Sequence, residues 1–99
     1  MMETYSFYQG GLSIEEIASQ RNCTTGTVEG HLIDCLRAGF AIDTAQFVSG
    51  ANRALIEKAI AEHGIEKLKP LHDSLPETIT YNMIRFIVAE HLRLKKAAS

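Results

Sequence analysis

The side chains here that can do chemistry are few, and they are of kinds that bind rather than react. Cys23, His31 and Cys35 are metal-ligating by type, and His31 and Cys35 stand one helical turn apart if their segment is helical. Structural zinc takes four ligands at characteristic spacing, and no Cys-x-x-Cys pair is present, so no metal site is expected. There is no nucleophile elbow, no zinc-protease motif and no Gly-x-x-x-x-Gly-Lys-Ser/Thr phosphate loop. The chain is therefore not expected to be an enzyme by itself, and no cofactor is expected. What remains is a set of donors and cations. Thr25, Thr27, His31 and Arg37 lie in one segment, and Arg85, Arg93, Lys95 and Lys96 in another. Hydroxyls at a helix start can hold phosphate oxygens, and clustered cations add a sequence-blind attraction for phosphates.

The elements that must position these groups read as short helices, with no period-2 runs and so little or no sheet. The first helix is expected over about Glu3 to Tyr8, with Tyr5 and Tyr8 on one face, and ends at Gly10-Gly11. Ser13-x-x-Glu16 is a capping box that opens the second, whose inward stripe is Ile14, Ile17 and Ala18. Asn22 stands where the chain must turn sharply, and asparagine tolerates a left-handed backbone. Thr24 can cap a third helix, about Thr25 to Ala38, with Val28, Leu32, Cys35 and Leu36 buried and Gly39 as the stop. Its outward positions are Thr25, Gly26, Glu29, Gly30, Asp34 and Arg37. Further on, Asp43-x-x-Gln46 reads as another capping box opening a short helix through Val48. Ser49 or Asn52 starts the next helix, with Leu55, Ile56, Ala59 and Ile60 inward, which stops at Gly64. Pro70 suits the first turn of a short helix carrying Leu68, Leu71 and Leu75, and Pro76 closes it. Thr80 caps the last, about Tyr81 to Lys95, with Ile84, Ile87, Val88 and Leu92 on one face. Tyr8, Tyr81 and Phe86 are expected in the core or between helices. The expected architecture is all-α, one domain over residues 1–99, with a two-helix corner at about 13–38 and additional helices at about 43–95.

The stretch from Ser13 to Leu32 resembles a helix-turn-helix. Ala18 is small enough for two helices to cross closely, and Ile17 and Val28 clamp the corner. Thr24 starts the helix that enters the major groove in DNA-binding versions. The Glu-Ile-Ala run, then Thr-Val and His-Leu, looks like the bacterial LuxR-type and sigma-factor-type units, with Asn22 where glycine is usual and Arg21 where an apolar residue is usual. Over residues 4–90 the chain resembles something narrower, the helix-turn-helix domain at the C-terminal end of many bacterial RecQ-type ATP-dependent DNA helicases. The carriers are Gly11-x-Ser13-x-x-Glu16-Ile17-Ala18, Thr27-Val28-x-x-His31-Leu32, Ile42-Asp43, Leu68-Lys69-Pro70-Leu71, Leu75-Pro76 and Tyr81-x-x-Ile84-Arg85. That resemblance implies a nucleic-acid-associated accessory domain, with DNA and the other domains of a parent helicase as partners. Thr25, Thr27, His31, Arg37, Arg85, Lys95 and Lys96 would carry the DNA contacts.

Charge pulls in a different direction. The 99 residues carry a formal net charge of -2, where an autonomous nucleic-acid binder normally shows a basic face. The corner is in the more acidic half: Glu3, Glu15, Glu16, Glu29 and Asp34 oppose only Arg21 and Arg37. This favours a second function class, a protein-interaction or self-association module that keeps the fold without binding DNA, with a homodimer as the simplest case. Two cysteines make no disulfide framework and there is no signal-peptide pattern, so a reducing, cytoplasmic location is expected. No apolar run approaches the length of a membrane span.

Overall fold

In the computed structural model, which describes residues 2–98 and the side chains of 3–93, every regular element is helical. The elements are α1 (Met2–Gln9), α2 (Ile14–Arg21), α3 (Thr25–Arg37), a single 3-10 turn (Thr44–Gln46), α4 (Gly50–His63), α5 (Leu68–Asp73) and α6 (Tyr81–Ala98). No strand occurs among the described residues. The chain divides into two compact units, Met1–Ile42 and Asp43–Ser99.

The first unit is three helices, each ended by the same backbone device. At Gly11 (φ 92°) the N–H of Leu12 donates to the Phe7 carbonyl and that of Gly11 to Tyr8. At Asn22 (φ 55°) Cys23 donates to Ala18 and Asn22 to Ser19. At Gly39 (φ 102°) Phe40 donates to Cys35 and Gly39 to Leu36. These are Schellman closures, which satisfy the orphan carbonyls of a helix end through one residue in the left-handed region. The starts are equally defined. Ser13 Oγ accepts from Glu16 N at 3.2 Å while Glu16 Oε1 accepts from Ser13 N at 3.0 Å, the reciprocal capping box. The Ser13 backbone N–H, with the Ser13 hydroxyl beside it, holds the Glu16 carboxyl below its usual range. Thr24 Oγ1 accepts from Thr27 N at 3.2 Å and caps α3.

The core of this unit is Tyr5, Ile17, Ala18, Val28, Leu32, Ile33, Cys35 and Leu36. α1 is pinned by polar contacts as well. Thr4 is fully buried, with Oγ1 3.1 Å from His31 Nδ1. Tyr5 packs on Phe40 at 5.0 Å between ring centroids and donates its hydroxyl to the Ala41 carbonyl at 3.1 Å. Tyr5 also stacks with Tyr8, as their shared face requires.

The second unit packs α4, α5 and α6 around Val48, Ile56, Ala59, Leu71, Ile79, Ile84, Phe86 and Ile87. Phe86 is fully buried and stacks on Phe47 at 4.8 Å. Arg53 of α4 is a polar hub. It pairs with Glu90 of α6 and Glu57 of its own helix, and donates to the buried Thr44 hydroxyl at 3.0 Å. His91 Nε2 lies 3.3 Å from Glu57 Oε2, an ion pair when the ring is protonated.

Two expectations need correction. Asp43 accepts from Ala45 N, two residues on, so the local bond makes one 3-10 turn in place of a capping box and a helix through Val48. Of the two starts offered for α4, Ser49 is the one that caps it, as expected. Leu55 and Leu92 are 43% and 39% exposed, at the edge of the apolar stripes on which their spacing placed them.

Asn22 holds the one left-handed non-glycine backbone among the described residues. Asn22→Ala is expected to lower unfolding stability by about 1 kcal/mol, since a Cβ residue lacking asparagine's local bonding is penalised there. Asn22→Gly should hold or raise it. Chemical denaturation of the three proteins checks the order. The capping box adds a pH signature. Because the Glu16 carboxyl is lowered in the folded state, its contribution is present above the unfolded carboxylate range and is lost as pH falls through the folded value. Glu16→Gln is expected to weaken that part of the acid dependence.

Candidate nucleic-acid interface

The α2–α3 corner is built from backbone and small apolar side chains. Ile17 and Val28 are fully buried and Ala18 is nearly so, which lets the two helices approach at the turn around Asn22. With Val28, Leu32, Ile33, Cys35 and Leu36 inward, the outward strip of α3 is Gly26, Thr27, Gly30, Asp34 and Arg37, by the helical period. Thr27, Asp34 and Arg37 are exposed. A Cβ added at Gly30 would meet no atom within 4 Å, and one at Gly26 would meet only Thr24 Oγ1 at 4.0 Å. Neither glycine is there to admit a neighbouring helix of its own unit.

The site residues expected from the sequence fall out as follows. Thr25 is exposed at the first position of α3. Thr27 is exposed beside it, but its hydroxyl lies 2.9 Å from Thr24 Oγ1, so it is partly engaged in the cap. His31 is half-buried and turned toward α1, with Nδ1 against Thr4. Its first role is to hold α1 on α3. Arg37 is exposed at the C-terminal end of α3, and no carboxylate lies within ion-pair distance of it among the described residues. The unit's other arginine, Arg21, is paired with Glu3. Arg85 is in the second unit, on α6, half-buried, with Nη1 donating to Asn82 Oδ1 at 3.2 Å. Lys95 and Lys96 lie on the last turns of α6, and their side chains fall outside the described residues.

The thiols serve packing. Cys35 is fully buried, and burial pushes its thiol above the ordinary range. Cys23 is half-buried in the turn. Among the described residues no group of three or more His, Cys, Asp or Glu side chains could hold a metal ion. Likewise no helix is long and apolar enough to cross a membrane.

An all-helical chain with a capped α2, a tight left-handed turn and a capped α3 packed across it is a helix-turn-helix protein by construction. The chain belongs to the helix-turn-helix domain family, whose model matches residues 1–88. No curated protein and no solved structure matches it significantly.

The spacing places Gly26 and Gly30 outward, and the open space above them agrees. Because that space is open and both residues are helical, Gly30→Ala is expected to stabilise the protein by about 1 kcal/mol. Urea denaturation measures it, and an unchanged or lowered midpoint would show a contact absent from this structure.

Proposed function

We propose that this chain binds DNA through α3, as an accessory domain similar to the one at the C-terminal end of RecQ-type helicases, and that it acts by positioning DNA near a motor rather than by catalysis. The observation that carries the reading is the unobstructed outward strip of α3 in a chain of the helix-turn-helix family. Exposed Thr25 and Thr27 stand at the N-terminal end of that helix, where backbone N–H groups and the dipole favour a phosphate. Arg37 supplies an exposed cation with no carboxylate within ion-pair distance among the described residues. Arg85, Lys95 and Lys96 add sequence-blind attraction to phosphates. The RecQ-type parent is supported by the motifs running from Gly11 to Arg85.

A second reading has its own observation. Asp34 shares the outward strip with Arg37, and Arg21 is neutralised by Glu3. Such a surface suits a protein partner or a second copy of the chain better than a polyanion.

Fluorescence anisotropy with labelled duplex and forked DNA at two salt concentrations separates them. Arg37→Ala is expected to weaken duplex binding several-fold and to lower the slope of log affinity against log salt by about 0.9, the loss of one phosphate contact. Unchanged affinity removes Arg37 from the interface. Absence of binding at micromolar protein in low salt transfers the function to the protein-interaction reading.

A further inference from the structure

The second unit carries an exposed ring pair that the packing of the fold does not use up. Tyr81, the first residue of α6, stacks on His72 of α5 with centroids 4.0 Å apart and planes 9° from parallel. Phe86 disappears into the core, but Tyr81 keeps 44% of its surface exposed, the most of any large apolar or aromatic residue described. One turn along the same face stands Arg85, since residues four apart on a helix are neighbours. Its guanidinium is steadied by the Asn82 amide, and no carboxylate lies within ion-pair distance among the described residues. The contrast with Arg53, held by Glu57 and Glu90, is direct. α6 is buried over most of its circumference through Ile84, Phe86, Ile87, Val88 and Ala89, and at its start Tyr81 stays exposed with half-buried Arg85 beside it.

We propose that Tyr81, backed by His72 and flanked by Arg85, is a stacking platform for an unpaired base of single-stranded nucleic acid. The parallel ring pair holds Tyr81 in a fixed orientation, so a base meets a ready π-face. The unpaired guanidinium supplies the charge for the adjacent phosphate. Ring and cation together match a ligand that has both a flat face and a negative backbone, and this is how sequence-tolerant single-strand binders work. The inference rests on the nucleic-acid reading only for the class of polymer. It uses another helix and another unit than the α3 surface.

The test is anisotropy of a labelled oligothymidylate and, separately, a labelled duplex, with the full chain and its Tyr81→Ala, Tyr81→Phe and Arg85→Ala variants. Circular dichroism confirms that each variant is folded, which exposure of Tyr81 favours. Tyr81→Ala is expected to weaken single-strand binding about tenfold, as loss of one stacked base does. Tyr81→Phe should preserve it, and Arg85→Ala should lower the single-strand salt slope by about 0.7. Duplex binding should be unmoved by Tyr81→Ala. Equal single-strand affinity of the wild-type and Tyr81→Ala proteins overturns the platform and leaves the α3 reading untouched. Tyr81-dependent single-strand binding without duplex binding supports the platform and removes α3 instead. If the wild-type protein binds no single strand but self-associates in a way that Tyr81→Ala abolishes, the Tyr81 surface is a protein contact and the platform is wrong.

Discussion

The first unit depends on the α2–α3 corner, and that corner on one left-handed residue. Asn22 reverses the chain in so few residues that α2 and α3 must touch at once, and they can touch only where Ala18 presents a methyl group between Ile17 and Val28. The Schellman bonds from Cys23 to Ala18 and from Asn22 to Ser19 close the first helix, and Thr24 then restarts the backbone as a cap for the second. Two helix ends are satisfied within three residues. The direction of α3 and of its outward strip starts from that turn and is held by the packing of α1 on α3.

α1 serves this geometry from the other side. Its contribution is unusual in being polar at its most buried point: a fully buried threonine hydroxyl bonded to a half-buried imidazole. A leucine there would contribute more burial, but the bond fixes the rotation of α1 about its own axis relative to α3, because a hydrogen bond is directional where an apolar contact is not. Arg53 does similar work in the second unit, where one guanidinium joins α4, α6 and the 3-10 turn through fixed donor directions. In both units apolar burial supplies the cohesion, and a few oriented polar bonds select the arrangement.

Much of this was legible in the residues, because its determinants are local. Ser13 with Glu16, Thr24, Gly39, Ser49 and Thr80 act through bonds that span three to five positions, so the order and nearly all the limits of the helices follow from spacing. The Asp43 turn was misjudged because aspartate can bond two residues on as readily as three, and local pattern alone does not choose between them. What spacing could not supply was the environment of each outward side chain. His31 reads as a surface donor until Thr4, twenty-seven residues earlier, is brought against it. Tyr81 reads as a core or inter-helix residue, and spacing does not show that it stacks on His72 of α5 with 44% of its surface still exposed. Periodicity assigns a residue to a side of its helix, and tertiary packing decides whether anything is on that side.

The open space above Gly26 and Gly30 has a consequence for whatever touches α3. Over that strip the peptide groups themselves are the molecular surface. Backbone already locked in a helix has no rotamers left to freeze, so contact with it costs little of the side-chain entropy that ordinarily opposes association. It also carries no lettering: a partner resting there senses distance and curvature, and the identity of the residue enters only as the absence of a methyl group. Recognition on this helix is accordingly a matter of fit along its middle and of chemistry at its two ends.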